Sequence, residues 1–334
     1  MKSKEIRLAS RPEGMPKETD FELVEVDVPE PGKGEILVKN ICMSVDPYMR
    51  GRMMDRESYV PPFQIGEALT GGAVGKVLQS QAEGIAEGDY VDSMFGWREA
   101  FCTNAAAVNP IGQLQAPASA YLGVLGMPGM TAYAGLLDVG ELKEGETVFV
   151  SGAAGAVGSI VGQIAKIKNC RVLGSAGSPE KVHYLTEELG FDYAFDYHEG
   201  NLVEHLKEGA PEGIDVYFDN VGGDHLEAAI YNMRPFGRIA LCGAISQYNN
   251  TEPSPGPNNM IMAVGLSLTL KGFIVSNYMH LRDDFIRDMS EWVGSGKIKY
   301  QETIYQGIEK APDAFMGLFT GANTGKMIVQ LAED

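Results

Sequence analysis

A short run of glycines and alanines, residues 151–158, has the residue types needed to hold a phosphate group. It reads Ser-Gly-Ala-Ala-Gly-Ala-Val-Gly, follows an apolar run at 147–150 that predicts a buried strand, and precedes a predicted helix. Such a unit binds a dinucleotide because glycines let the backbone approach a pyrophosphate at the helix N-terminus. The pattern departs from G-x-G-x-x-G at its first place, Ala153, and keeps Gly155 and Gly158. The alternative is a tight turn without a ligand.

The end of the next predicted strand bears on which dinucleotide would bind. An acidic residue there would accept the ribose hydroxyls of NAD and repel a 2′-phosphate. Residues 174–178 contain no acid, and Ser178 and Pro179 predict the start of a helix with Lys181 in its first turn. These residues favour NADP, with Lys181 as the cation for the 2′-phosphate. The alternative is a solvated surface lysine.

Glycines also follow the predicted fourth and fifth strands. Gly222 and Gly223 come after residues 214–218, and Gly243 comes after residues 237–241. The carboxyl ends of parallel strands form the ligand-binding edge of an open α/β sheet, so the backbone can approach a nicotinamide here. Tight turns alone are a compatible alternative.

The elements that must position these residues differ along the chain. From residue 6 to about residue 120, short alternating or β-branched runs are separated by Pro-Gly pairs, which predicts a partly closed β-barrel. From residue 147 onward strands alternate with helices, which predicts a parallel, doubly wound α/β sheet. A long loop is predicted at 251–259 and a sixth strand at 269–276.

Composition excludes several functional classes. The chain has 334 residues and 44% hydrophobic content, enough for two domains with real cores. Its net charge of −18, with no basic cluster, argues against binding nucleic acid or anionic membranes. The apolar runs are too short to span a bilayer and the N-terminus has no apolar signal segment, so we expect a soluble, cytoplasmic protein.

The metal-ligating residues are poorly placed for zinc. The four cysteines form no CxxC pair, and the first of the five histidines is His183. A catalytic zinc site usually combines cysteine with histidine, so we expect a metal-free protein in which Cys42 belongs to the core.

Several motifs together resemble one known family. They are Ser-Val-Asp-Pro-Tyr-Met-Arg-Gly at 44–51, the glycine turn with its Val-Gly-Gln-Ile-Ala-Lys helix, Gly-Ser-Pro-Glu-Lys-Val at 177–182, Phe-Asp-Asn-Val-Gly-Gly at 218–223, Gly-Arg-Ile-Ala-Leu-Cys-Gly-Ala-Ile-Ser-Gln-Tyr-Asn at 237–249, and Gly-Ala-Asn-Thr-Gly-Lys at 321–326. Nearly end to end, the chain resembles the zinc-independent medium-chain dehydrogenase/reductases of the leukotriene B4 12-hydroxydehydrogenase, or prostaglandin reductase, branch.

This resemblance implies a GroES-like barrel joined to a Rossmann domain. We predict a GroES-like substrate and catalytic domain at residues 1–125 and an NADP-binding Rossmann domain at 126–298. Residues 299–334 are predicted to return and complete the catalytic domain.

The resemblance also implies NADPH as cofactor and a set of contacts to it. Lys181 and Tyr197 match positions that contact the 2′-phosphate, and Asn220 and Asn323 match positions that contact the cofactor elsewhere. The other predicted cofactor residues are Ala153, Gly155, Ala156, Val157, Gly158, Ser178, Gly222, Cys242, Gly243, Ala244, Ile245, Tyr248, Phe273, Val275 and Gly325.

Two tyrosines are the catalytic candidates. Hydride addition to an enone builds negative charge on the carbonyl oxygen, and a neutral phenol can donate a hydrogen bond to that oxygen without a metal. Tyr48 lies in Asp-Pro-Tyr-Met-Arg, and Tyr248 lies in Ser-Gln-Tyr-Asn. The alternative for each is a packing role.

The chain departs from the family before the predicted sixth strand. Several members carry an active-site tyrosine there, but counting back from Phe273 places small or apolar residues, 262–265, at that position. The proton donor is therefore left open among other groups, including the cofactor ribose and water. Met260, Ile261 and Met262 predict an apolar, adaptable pocket.

The expected activity is NADPH-dependent reduction of the carbon–carbon double bond of small hydrophobic enones or enals, with the 4R-side hydride transfer typical of the family. The alternatives are a quinone or ketone/alcohol oxidoreductase and a catalytically silent NADPH-binding protein. An apolar edge strand at 269–276 predicts a homodimer through sheet extension across a two-fold axis.

Overall fold

A computed structural model describes residues 1–333 and divides the chain into two compact units. The barrel unit comprises Met1–Gly123, Glu302–Asn323 and the chain from Met327 onward. The sheet unit comprises Val124–Gln301 and Thr324–Lys326. Within the described chain, no helix is both long and apolar enough to cross a membrane.

The strands and helices follow one another in this order. The first part of the barrel unit contains β1 (Lys2–Leu8), β2 (Phe21–Asp27), β3 (Glu35–Ser44), α1 (Met49–Arg52), β4 (Ala73–Ser80), β5 (Tyr90–Ser93), β6 (Ala100–Asn104) and β7 (Asn109–Gly112). The sheet unit contains α2 (Met127–Ala134), β8 (Thr147–Val150), α3 (Gly158–Ile167), β9 (Arg171–Ala176), α4 (Pro179–His183), β10 (Tyr193–Asp196), α5 (Leu202–Gly209), β11 (Ile214–Asp219), α6 (Gly223–Asn232), β12 (Met233–Leu241), α7 (Met260–Gly265), β13 (Thr269–Gly272) and α8 (Arg282–Gly294). The return segment contains β14 (Glu302–Gln306), α9 (Ala311–Gly317) and β15 (Lys326–Gln330).

The barrel unit is built on an antiparallel seven-stranded sheet in which β14, β15, β3, β4, β5 and β7 are successive neighbours and β6 pairs with β3. The chain's last strand, β15, pairs with β3 through Ile328 and Ser44, so the C-terminal segment completes this sheet. β1 and β2 form a separate antiparallel pair.

The core of the barrel unit gathers aromatic and methionine side chains. Trp97 is fully buried, stacks on Phe21 with 6.0 Å between ring centroids, and meets Phe315 edge-on. Met49 at the start of α1 belongs to the same cluster. Through Met49, the backbone of the Asp-Pro-Tyr-Met-Arg segment is fixed by core packing.

The sheet unit has a six-stranded parallel sheet in the order β10-β9-β8-β11-β12-β13. The chain runs outward from β8 to β10 and then returns to β11 on the other side of β8, which creates a topological switch point between β8 and β11. Ligands of open α/β sheets bind at the carboxyl edge at such a point. The predicted α/β class, with a doubly wound sheet and a separate barrel, is confirmed.

The central strands of this sheet are buried on both faces, as parallel strands with helices on each side must be. All four residues of β8 are buried, and Phe149 stacks on Tyr217 of β11 with centroids 4.8 Å apart. The edge strand β13 is instead mostly exposed.

Two expectations from the sequence differ in the structure, and one helix contains a π-helical irregularity. The sixth strand is shorter than predicted, ending at Gly272 before a 3₁₀ helix at Val275–Leu281. Residues 262–265, which the family resemblance places where several members carry an active-site tyrosine, lie in α7, because their apolar pattern turns Met262 and Ala263 toward the protein. α2 continues through a wider π-helical turn at Gly135–Val139.

Candidate functional site

The glycine turn after β8 closes tightly against its own backbone. An added Cβ at Gly158 would lie 2.6 Å from the carbonyl oxygen of Gly152, so no other residue fits at the start of α3. Ala153 is buried, and its N–H donates to the carbonyl of Ser175 at 2.9 Å, which ties the turn to β9.

Gly152 is the glycine that sequence reasoning missed. Its φ of +59° is the left-handed conformation that glycine adopts without strain. The tight-turn glycine therefore stands one residue before Ala153, and the motif reads G-x-x-G-x-x-G. The signal was present in the sequence, but the spacing of the standard fingerprint hid it.

The turn leaves backbone accessible where a pyrophosphate would lie. Gly155, Ala156 and Val157 are partly exposed immediately before α3, a helix of ten residues whose positive dipole end favours an anion. Gly325 donates its N–H to the carbonyl of Ala154 at 2.7 Å, so this glycine also contacts the turn. These residues fit a dinucleotide pyrophosphate.

A capped helix start and a lysine follow the end of β9, where the sequence predicts a 2′-phosphate contact. The Ser178 hydroxyl caps α4 by accepting the N–H of Lys181 at 3.4 Å, which confirms the predicted helix start. Burial lowers the pKa of the Lys181 ammonium, which places this cation in a partly desolvated position.

Tyr197 lies beside this helix start at the end of β10. Its N–H donates to the carbonyl of Ala176 at 3.0 Å, and its hydroxyl would be 3.1 Å from a Cβ added at Gly177. The ring is 40% exposed and meets His225 edge-on. Because Gly177 has no Cβ, the Tyr197 phenol can lie next to Ser178.

The turns after β11 and β12 pack directly on one another. The Asn220 amide donates to the carbonyl of Ser151 at 2.8 Å, and the Asn220 carbonyl accepts the N–H of Ile245 at 3.2 Å. Gly222 has a φ of +71°, and a Cβ there would lie 2.9 Å from that of Ala244. The predicted residues at 151–158, 220–222 and 242–245 thus meet at one edge of the sheet.

Tyr248 is folded back onto its own turn. Its hydroxyl accepts the N–H of Ala244 at 3.2 Å, and a Cβ added at Gly243 would lie 2.9 Å from the hydroxyl oxygen. This phenol supports the backbone of the turn after β12. Burial and the charge of Asp219 raise the pKa of the neighbouring Cys242 thiol to about 12, so Cys242 stays a neutral thiol.

Phe273 and Val275 follow β13. The Phe273 ring meets Phe218 edge-on, and both rings come close enough to the π-helical turn after α2 that only glycine fits at residue 135. Val275 is half-buried at the start of the 3₁₀ helix.

The expected apolar pocket lining is only partly turned toward the protein. Met262 packs on the core of the sheet unit, whereas Ile261 is 76% exposed. Met260 is also exposed. Asn323, the remaining predicted cofactor residue, is half-buried in the barrel unit.

Tyr48 occupies the position before α1 in the barrel unit. The ring is half-buried and packs against the Trp97 core. Burial raises the pKa of its phenol well above the ordinary value, Asp46 raises it further, and a hydrogen bond with Arg52 partly opposes the shift. The phenol therefore stays protonated through neutral pH and can donate a hydrogen bond.

Tyr59 is a second phenol in this region that sequence reasoning missed. It is 63% exposed, and its charge state influences both Tyr48 and Arg52, so the three side chains lie in electrostatic reach of one another. Arg52 is itself held, donating to the Thr70 hydroxyl at 2.9 Å and stacking over Phe63. A lone tyrosine in a segment without periodicity gave no signal in the sequence.

The donor set does not fit a catalytic zinc. Among residues 1–333, no three His, Cys, Asp or Glu side chains come together as metal ligands. Cys42 is fully buried in an apolar cluster with Val74 and Ile328, which confirms its predicted place in the core.

Comparison with known proteins decides the family. The model described as "N-terminal domain of oxidoreductase" matches residues 4–111, and "Zinc-binding dehydrogenase" matches 156–294. The chain is 45% identical to the NADPH-dependent curcumin reductase of Escherichia coli, with 98% of this chain and 96% of that protein covered. It is 44% identical to the NADP(+)-dependent 2-alkenal reductase of Nicotiana tabacum, covering 99% and 98%.

The chain belongs to the zinc-independent medium-chain dehydrogenase/reductase family. A solved structure of another member, CurA of Vibrio vulnificus in complex with NADPH, superposes with a TM-score of 0.95 at 43% identity, covering 99% of this chain and 100% of that one. The barrel and sheet units are thus the GroES-like and Rossmann halves of this fold. Although one matching model is named for zinc, the described part of this reductase contains no group of three side chains able to hold a zinc ion.

Proposed function

We propose that this protein is an NADPH-dependent reductase of the carbon–carbon double bond of α,β-unsaturated ketones and aldehydes. The observation that carries the proposal is the carboxyl edge of the six-stranded sheet, where the glycine turn lies beside a capped helix bearing Lys181 and no acid ends β9. The names of its relatives support it, since they include a curcumin reductase, a 2-alkenal reductase and a (+)-pulegone reductase.

The cofactor is assigned to the residues of this edge. Residues 151–158 would hold the pyrophosphate, Lys181 and Tyr197 the 2′-phosphate, and the turns after β11 and β12 the nicotinamide half. The other predicted contacts, including Asn323, Phe273 and Val275, stay predictions. We likewise infer that residues 126–298 serve as the NADP-binding domain and that residues 1–125 with 299–334 supply the substrate side.

In this reaction, bound NADPH supplies the hydride that adds to the carbon β to the carbonyl. The chain's part is to stabilise the charge that develops on the carbonyl oxygen, and Tyr48 is the proposed hydrogen-bond donor because its phenol is neutral and held by Arg52. Tyr59 is the second phenol able to donate a proton in this region. Tyr248 supports the turn after β12.

A homodimer is the proposed assembly, through the exposed edge strand β13. Close to this strand in sequence, Ile261 and Val264 on α7 are 76% and 74% exposed, and an apolar surface beside an open sheet edge is the kind of face that a second copy covers. The cytoplasmic location expected from the sequence stays a prediction.

The activity is tested by following NADPH consumption by the purified protein with three acceptors. A medium-chain enone should be reduced rapidly, whereas a quinone and a saturated ketone should react slowly. Consumption with the quinone alone would contradict the proposal, and no consumption with any acceptor would indicate an NADPH-binding protein without this activity.

A further inference from the structure

A buried carboxylate lies at the end of β11, and four donors converge on one of its oxygens. Asp219 Oδ1 accepts the Tyr217 hydroxyl at 2.6 Å, the Ser151 hydroxyl at 3.3 Å, and the backbone N–H groups of Val221 and Gly222 at 3.0 and 2.8 Å. Asp219 is 1% exposed. An acceptor surrounded only by donors is the arrangement that an ionised carboxylate requires in a protein interior.

This carboxylate lies at the switch point of the sheet. Ser151 directly follows β8, and its hydroxyl also accepts the N–H of Asn220 at 3.1 Å. The Asp219 carbonyl accepts the N–H groups of Cys242 and Gly243 at 2.9 and 3.0 Å. One residue therefore fixes three turns of the edge to which the cofactor is assigned.

Among residues 1–333, no lysine, arginine or histidine forms an ion pair with Asp219. Burial raises the pKa of its carboxyl, and the influences that lower it again come from hydrogen-bond donors alone. The charge also helps to raise the pKa of the Cys242 thiol, so its field reaches the turn after β12. Because the surroundings are buried, this field is weakly screened.

We propose that Asp219 is a positioning residue whose charge makes the site bind oxidised NADP more tightly, relative to NADPH, than a neutral side chain would. The oxidised nicotinamide ring carries a positive charge and the reduced ring is neutral, so a fixed carboxylate at this edge distinguishes between them. This inference rests on the proposed function, because that function assigns the nicotinamide to these turns.

The test compares dissociation constants for NADP⁺ and NADPH by calorimetry on the full-length protein. Asp219→Asn, which keeps the shape and removes the charge, should raise the ratio of the NADP⁺ constant to the NADPH constant roughly fivefold to tenfold. Tyr217→Phe removes a donor but keeps the charge, so it should weaken both ligands alike and leave the ratio unchanged. An unchanged ratio in folded Asp219→Asn would overturn the inference, as would an equal ratio change in Tyr217→Phe.

Asp215→Asn is the matched control, because Asp215 is the second residue of the same strand, near its opposite end, where it accepts the N–H of Thr147 at 2.8 Å. The ratio of the NADP⁺ to the NADPH dissociation constant in Asp215→Asn should equal that of the parent protein. If Asp219→Asn does not fold, Asn220→Asp adds a charge at the same edge and should lower the ratio; no change there would also overturn the inference. Failure of the parent protein to bind either nucleotide would instead refute the proposed function.

Discussion

Lys181 is the residue on which we propose that cofactor choice depends. Its N–H is held by the Ser178 hydroxyl, and its ammonium is the cation expected to meet a 2′-phosphate. We predict that Lys181→Ala raises the KM for NADPH roughly tenfold to a hundredfold, because a charge-assisted hydrogen bond is lost, and changes the KM for NADH little. Steady-state kinetics with both cofactors measure this.

The control for this prediction is Lys207→Ala, which removes an exposed lysine of α5 in the same unit. It should leave both KM values unchanged. Because burial lowers the pKa of Lys181, its charge is lost at a lower pH than that of an ordinary lysine, so NADPH affinity should fall as alkaline pH rises through that lowered pKa. Equal loss of NADPH and NADH affinity would count against Lys181 as the phosphate ligand.

Tyr48 is expected to act on the rate and not on cofactor binding. Tyr48→Phe should lower kcat with an enone roughly a hundredfold to a thousandfold, because the donor to the developing oxyanion is removed, with the NADPH dissociation constant unchanged. Because the pKa of this phenol is raised, Tyr48 should stay protonated from about pH 6 to about pH 9 and should cause no loss of activity in that range.

Tyr59→Phe distinguishes the role of Tyr59 from that of Tyr48 in the reaction. If Tyr59 donates the proton, its loss should lower kcat and enlarge the solvent isotope effect, whereas Tyr231→Phe, which changes an exposed tyrosine of α6, should alter neither. Full activity in Tyr48→Phe would remove Tyr48 from the mechanism and leave Tyr59 as the candidate.

The structural role of some single residues could be predicted from the sequence, and that of others could not. The cap at Ser178 was predictable because a serine followed by proline has a local physical meaning at a helix start. Tyr59 was not, because its place beside Tyr48 and Arg52 depends on how an irregular segment folds back. The contact of Tyr248 with Ala244 is local, but it lies in an irregular turn that no periodic pattern predicts.

At the scale of elements, the glycine turn and α3 should behave as one unit. Gly158→Ala places a Cβ 2.6 Å from the Gly152 carbonyl, so we predict a loss of roughly 1 to 3 kcal/mol in the free energy of unfolding and a loss of NADPH binding. Thermal unfolding and calorimetry measure both. Gly272→Ala, with nothing within 4 Å of the added Cβ, is the control, and an equal effect of the two substitutions would contradict the account.

Elements with a strong hydrophobic pattern were predictable from the sequence, whereas the elements at the edge of the sheet were not. β8, α3 and β9 follow the predicted pattern because burial on both faces demands apolar runs. β13 is shorter than predicted because an edge strand has one neighbour, so fewer contacts determine where it ends. α7 was not predicted, because its six residues are too few to show a helical period.

For the whole molecule, the exposed face of β13 and α7 leads to a prediction about assembly. The double variant Ile261→Lys with Val264→Lys should shift the proposed homodimer to monomer, because two charges would enter an apolar interface. Light scattering coupled to size-exclusion chromatography measures the mass. Leu23→Lys, at a 46% exposed position of β2, should leave the mass unchanged, and a monomeric parent protein at all concentrations would contradict the dimer.

The most direct test of the central claim is the fate of a deuterium label. With NADPH deuterated on its 4R side and a medium-chain enone, the label should appear on the carbon β to the carbonyl, and the product should be the saturated ketone. A label on the carbonyl carbon with an allylic alcohol as product, or an unreacted enone with NADPH intact, would contradict the assignment of this reductase to carbon–carbon double bonds.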